Sequence, residues 1–219
     1  MTLLIFDCDG VLVDSEVLAC DTLREMLAFL GHPMTTDEVM REFAGGSLAD
    51  TVATIERLLG RPLPADVGEH FGQLLLERFR RELKPMPGVR EAILALPYQR
   101  CVASSSSPER LHLSLEVTGL APLFGKHVFS AVQVARGKPA PDLYLLAART
   151  LGAPPERCIV IEDTTRGVAA GRAAGARVVG FAGGDHATPA LAEDLRLAGA
   201  EVVITAMHEL PAVVRRLAG

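Results

Sequence analysis

Four short stretches carry residues able to do chemistry. The first is Phe6-Asp7-Cys8-Asp9-Gly10, directly after the apolar run Thr2-Leu3-Leu4-Ile5-Phe6. Two carboxylates two residues apart, at the end of a buried strand, are costly to leave unpaired. A strand's period of two would aim both the same way. Converging acids invite a cation, and they can divide nucleophilic attack from proton transfer. The plainer alternative is that Asp7 and Asp9 only end a strand and start a turn, and the pair alone does not decide. The second stretch, Ser104-Ser105-Ser106-Ser107-Pro108, follows Val102-Ala103. Its hydroxyl and N–H groups can hold a phosphate, or form an ordinary serine turn. The third is Arg136-Gly137-Lys138-Pro139-Ala140-Pro141-Asp142, where two prolines stiffen the chain after a lysine that would otherwise be simply solvated. The fourth is Glu162-Asp163-Thr164, after Cys158-Ile159-Val160-Ile161. Acids that open a helix can serve as caps or complement its dipole. Beside Asp7 and Asp9 they also make an all-oxygen site, which suits Mg²⁺ and a substrate phosphate.

These stretches can cooperate only if the fold brings them to one edge. Residues 16–83 read as helical throughout. Val17, Leu18, Leu23, Leu27 and Leu30 form a helical stripe that Gly31 and Pro33 end, and Thr36-Asp37-Glu38 starts a second helix. After the loop Gly45-Gly46-Ser47, Ser47 is placed to cap a third helix, and a fourth spans about 66–83. Beyond the linker Lys84-Pro85-Met86-Pro87-Gly88, apolar strands alternate with helices to the end of the chain. That rhythm implies a parallel sheet covered on both faces. The expected fold is α/β: a Rossmann-like parallel-sheet core made of residues 1–15 and 84–219, with an inserted all-helical domain over 16–83. Ligands of such sheets bind beyond the carboxyl ends of the strands, where the first, second and fourth stretches fall, since each follows a strand.

Composition narrows the classes. The chain has 219 residues, of which 49% are hydrophobic and 22% charged, and its net charge is −5 with the cations dispersed. That argues against a nucleic-acid footprint and gives ample core material. No apolar run approaches the roughly 18 residues of a membrane helix, and no signal-peptide core is present. Cys8, Cys20, Cys101 and Cys158 form no C-x-x-C pair, which points to a reducing, cytoplasmic setting. The six histidines lack ligand spacing, so surface or packing roles are expected of them. Gly183-Gly184-Asp185-His186 follows a strand and can reach the site's rim, without being counted in the site.

Taken in order, Phe6 to Glu16, Val102-Ala103-Ser104, Gly137 to Asp142 and Ile161 to Thr164 resemble the four motifs of the haloacid dehalogenase-like (HAD) hydrolase superfamily. The similarity spans the chain, with the helical insertion at the position of that family's first cap domain. It is strongest to the branch holding β-phosphoglucomutase, phosphoglycolate phosphatase and sugar-phosphate phosphatases. The resemblance implies that Asp7 is a nucleophile forming an aspartyl-phosphate, and that Asp9 protonates the leaving alcohol and then activates water. It implies Mg²⁺ held by Asp7, the main-chain carbonyl of Asp9, and Asp163. Ser104, Ser105 and Lys138 would bind phosphoryl oxygens, with Glu162 an outer partner or alternative metal contact.

Several reactions occur in that superfamily. Asp9 favours phosphoryl transfer over dehalogenation, since the dehalogenases lack an acid there. A phosphosugar mutase is the alternative, but the cap histidine and arginine of that branch correspond here to Ala19 and Leu48, which leaves a second phosphate poorly gripped. A catalytically silent binding protein is the remaining reading, opposed by the retention of every motif acid and Lys138. Ser15, Glu16, Ala44, Gly45, Gly46, Ser47 and Leu48 are the expected substrate-selecting residues, although the glycines can equally make a helix–helix turn. The expected substrate is a small phosphorylated sugar or sugar acid. The oligomeric state is left open, with a monomer as the expectation.

Overall fold

A computed structural model of the chain describes residues 2–43, 48–64 and 66–219, and of Leu48 the backbone only. Ala44, Gly45, Gly46 and Ser47 therefore lie outside the described residues, and so does the cap expected of Ser47. The chain divides into two compact units, 1–14 with 84–219, and 15–83. The division falls between Asp14 and Ser15, one residue before the expected boundary, so Ser15 belongs to the helical unit.

The first unit is built on a six-stranded sheet, all of whose pairings are parallel. Its strands are β1 (Leu3–Phe6), β2 (Gln99–Ser104), β3 (Val128–Ser130), β4 (Cys158–Glu162), β5 (Arg177–Phe181) and β6 (Val202–Ile204), in the spatial order β3-β2-β1-β4-β5-β6. The order reverses at β1, where such sheets bind ligands. All four residues of β1 are buried, with β2 on one side and β4 on the other. Leu3 and Ile5 join Cys101, Val160, Leu143 and Val168 in the core on one face. Phe6 points to the opposite face, where its ring meets Phe124 edge-on at 5.9 Å. Burying each large side chain contributes about 1.5–3 kcal/mol, so β1 is fixed in register by its own side chains.

The helical unit holds α1 (Glu16–Phe29), α2 (Thr36–Phe43), α3 (Leu48–Leu59) and α4 (Val67–Glu82). In α1, Leu23 and Leu27 are buried with Cys20 and Met26, and the helix packs against α4, which buries Phe71, Leu75 and Phe79. A reciprocal cap starts α2: Thr35 N donates to Glu38 Oε2 at 2.8 Å, and Glu38 N donates to Thr35 Oγ1 at 3.3 Å. Around the sheet lie α5 (Val89–Leu94), α6 (Pro108–Val117), α7 (Ala121–Phe124), α8 (Asp142–Thr150), α9 (Thr165–Ala173), α10 (Leu191–Leu197) and α11 (Leu210–Ala218). The short α7 is not anticipated by periodicity, because one helical turn carries too few residues to show a stripe. No described helix is long and apolar enough to cross a membrane. All four cysteines are buried and free.

Candidate active site

The site begins where β1 stops. Asp7 N still donates to Ile161 O at 3.0 Å, so its backbone stays in the ladder with β4. The chain then turns: Leu12 N and Val13 N both donate to Cys8 O, at 2.8 and 3.1 Å. Gly10 makes the turn with φ 71°, a left-handed conformation that side chains disfavour. It is needed twice over, because a Cβ there would lie 1.9 Å from Asp163 Oδ2. The bare backbone of Gly10 lets the acid after β4 approach the acids after β1.

Asp7, Glu162 and Asp163 are buried, with ligand-capable oxygens all within 4.8 Å of one another. Lys138 Nζ joins them, 3.0 Å from Asp7 Oδ1 and 2.6 Å from Glu162 Oε1. Four donors saturate Glu162. Its Oε1 accepts from Lys138 Nζ and from Tyr144 Oη at 2.7 Å, and its Oε2 accepts from Thr164 N and Thr164 Oγ1 at 3.0 and 2.9 Å. A carboxylate has about four acceptor positions, so Glu162 is committed to holding Lys138. Gly167 makes room for it, since a Cβ there would meet Glu162 Oε1 at 1.8 Å. By contrast, Asp7 Oδ1 and Asp163 Oδ1 are buried and accept no hydrogen bond. Lys138 Nζ is close enough to Asp7 Oδ1 for charge attraction, but its direction is wrong for a bond.

The electrostatics follow from this packing. Burial pushes the Asp7 carboxyl well above the usual carboxylate range; Lys138 opposes that, and Glu162, Asp163 and Asp9 add to it. Burial also raises Asp163, against a hydrogen bond from His186. Burial would raise Glu162 too, but the Lys138 charge and the hydrogen bonds from Lys138, Tyr144 and Thr164 win and hold it below the usual range. For Lys138, burial would lower the ammonium, yet Asp7 and Glu162 together raise it. The donor set fits a hard divalent cation: two buried carboxylate oxygens without donors, and two carboxyls that a nearby positive charge would return to the ionised form. Asp7 and Asp163 would hold it.

Asp9 has different company. Ser106 Oγ donates to its Oδ2 at 2.5 Å, and Arg110 Nη2 to its Oδ1 at 2.7 Å. The serine loop is fixed from several sides. Ser106 N donates to the buried Ser104 Oγ at 3.2 Å, and Ser130 Oγ, at the end of β3, donates to Ser106 O at 2.6 Å. Ser107 caps α6 by accepting from Arg110 N at 3.2 Å, which sets the turn carrying the arginine. Ser105 is exposed, and Ser106, not Ser105, is the serine turned to an acid. Lys138 is anchored through its main chain, where Arg166 Nη2 donates to Lys138 O at 2.9 Å.

Asp7, Asp9, Ser104, Lys138, Glu162 and Asp163 are thus gathered at the carboxyl edge of the sheet. Ser15 precedes α1, Glu16 opens it, and Leu48 begins α3, all within the helical unit. Sequence reasoning missed Ser106, Arg110, Tyr144 and His186. One signal was present for Arg110: a cation in the first turn of a helix runs against the dipole, and such a residue calls for another partner. Tyr144 was hidden inside an ordinary apolar stripe. His186, whose loop was expected to reach the site's rim without being counted in the site, places Nε2 3.1 Å from Asp163 Oδ2.

Residues 1–175 match the family model of haloacid dehalogenase-like hydrolases, and the chain belongs to that family. It is 34% identical over 182 residues to phosphorylated carbohydrates phosphatase of Thermotoga maritima, covering 80% of this chain and 82% of that one. It is 29% identical over 185 residues to 6-phosphogluconate phosphatase of Escherichia coli K12, covering 84% of each. A conserved haloacid dehalogenase-like protein of unknown function from Agrobacterium tumefaciens C58 superposes over 100% of both chains, with a TM-score of 0.88 and 40% identity.

Proposed function

We propose that this chain, a phosphoric monoester hydrolase of its family, is a Mg²⁺-dependent phosphatase acting on a small phosphorylated sugar or sugar acid through an aspartyl-phosphate on Asp7. The observation that carries the reading is Asp7 itself: buried at the end of the central strand, 3.0 Å from Lys138, with an Oδ1 that accepts no hydrogen bond. The relatives named for phosphorylated carbohydrates and 6-phosphogluconate support the substrate class.

An Asp7 oxygen attacks phosphorus and the bond to the leaving alcohol breaks. Lys138 binds the phosphoryl oxygens and offsets the negative charge brought together there. Asp7, the Asp9 carbonyl and Asp163 would hold Mg²⁺, which would neutralise charge on the nucleophile and the phosphate. Asp9 gives its proton to the departing alkoxide, then takes one from the water that attacks phosphorus and frees Asp7. Both Asp9 oxygens are held, by Ser106 and Arg110, so one must be released before each transfer. Ser104 Oγ accepts from Ser106 N and so shapes the loop assigned to the phosphate. The helical unit, with Ser15, Glu16, Gly45, Gly46, Ser47 and Leu48, is assigned the choice of substrate and the closing of the site as a cap.

The test is phosphate release from a panel of phosphorylated sugars, sugar acids and alditols, with and without Mg²⁺. Mg²⁺-dependent release is expected. Silence across the panel would favour a binding protein, and phosphate transfer between two hydroxyls of a hexose outrunning release would restore the mutase.

A further inference from the structure

The loop after β5 has no task in the reaction described above, yet its histidine meets a site acid. His186 keeps only 11% of its side chain exposed and places Nε2 3.1 Å from Asp163 Oδ2. The other oxygen of the same carboxylate, Asp163 Oδ1, is buried and accepts no hydrogen bond. The two oxygens therefore have separate surroundings, Oδ2 meeting an imidazole and Oδ1 buried without a hydrogen-bond donor, in a carboxylate that belongs to the three-acid cluster. We propose that His186 is a positioning residue for the Mg²⁺ site: its Nε2–H holds Asp163 Oδ2 and so presents Oδ1 to the cation. The inference rests on the metal-site reading above and deepens it.

The backbone around the pair supports this role. Asp163 is fixed through its main chain between β4 and α9, where Thr164 caps the helix by accepting from Gly167 N at 3.0 Å. That leaves rotation of the carboxylate as its remaining freedom, and a donor at Oδ2 removes it. The imidazole reaches Asp163 because Gly10 has no side chain: a Cβ there would lie 1.9 Å from Asp163 Oδ2 and 3.0 Å from His186 Cε1. The histidine loop is itself closed by Ala187 N donating to Gly184 O at 2.9 Å. Losing a partner that orients a ligating group typically costs about 10–100-fold in metal affinity. Packing alone would ask only for a side chain of similar volume at this position, whereas positioning requires an N–H.

Calorimetric titration of the substrate-free protein with Mg²⁺ separates these roles, using wild type, His186→Leu, His186→Gln and Asp163→Asn, each checked for folding by circular dichroism. His186→Leu is expected to weaken Mg²⁺ binding by about 10-fold or more, and His186→Gln, which keeps an N–H donor, to return within about 3-fold of wild type. If His186→Leu fails to fold, His186→Ala takes its place. Wild-type affinity in the Leu variant, with Asp163→Asn impaired, overturns the role of His186 and leaves the metal site standing. A Gln variant as weak as the Leu variant also overturns it. Wild-type affinity in Asp163→Asn, or no binding by the wild type, overturns the metal site and this inference together.

Discussion

At the scale of single residues, the site is decided by competition for Lys138. Taking an ammonium out of water costs several kcal/mol, and only two carboxylates, 3.0 and 2.6 Å away, make its charged form the favoured one. Lys138→Met would leave Glu162 buried and uncompensated. The expected loss is about 3–5 kcal/mol, read from urea denaturation, with part regained in the double variant with Glu162→Gln; an unchanged midpoint would contradict the pairing. The sign with pH follows from the lowered Glu162. Its contribution is present above the unfolded carboxyl value of about 4.3 and is lost as pH falls through the lower folded value. Asp7 and Asp163 run the other way. Their folded values are raised, so in the metal-free protein stability falls as pH climbs from the unfolded value of about 4 through the raised ones. Protons then compete with a cation for the same oxygens. The rise in Tm produced by Mg²⁺ should therefore grow as pH climbs above the unfolded carboxyl value of about 4, as thermal-shift measurements can show; a shift independent of pH would count against these two acids as ligands.

At the scale of elements, helix starts aim the side chains. Ser107 caps α6 and Thr164 caps α9, and each of those first turns carries an arginine directed at the site, Arg110 to Asp9 and Arg166 to the main chain of Lys138. Removing the cap with Ser107→Ala should cost about 1 kcal/mol, measured by denaturation, and an unchanged stability would mean that the α6 start is held by its tertiary contacts instead. The strands were legible in the sequence because each is a short apolar run cut off by a turn. The acids were legible because they stand where those runs end, and the lysine because two prolines stiffen the chain after it. Ser106, Arg110 and His186 were not, since their partners lie in other loops and the convergence depends on how closely Gly10 lets those loops approach. The start of α10 shows a smaller limit. Pro189, a residue type that often opens helices, lies instead in a turn closed by Leu191 N on Thr188 O at 3.1 Å, and the helix begins at Leu191.

At the scale of the molecule, one sheet edge collects side chains from three strand ends and the loop before α8. The order β3-β2-β1-β4-β5-β6 puts β1 between the strands that carry the serine loop and the second pair of acids. The chain leaves the first unit after Asp14 and returns at Lys84, and these two crossings are joined: Asp14 N donates to Lys84 O at 3.1 Å, and Met86 N to Leu12 O at 2.9 Å. Within the first unit, the outgoing and returning chain are therefore tied together directly beyond the turn that follows Asp7. What the arrangement is for comes down to whether phosphorus becomes bonded to Asp7. The direct measurement is a rapid acid quench of wild type and Asp7→Asn turning over a radiolabelled phosphoester with Mg²⁺, followed by mapping of the labelled peptide. The account predicts label on the peptide bearing Asp7 in the wild type and neither label nor turnover in the variant. Turnover by the variant, or hydrolysis by the wild type with no phosphoryl group ever on that peptide, would contradict it.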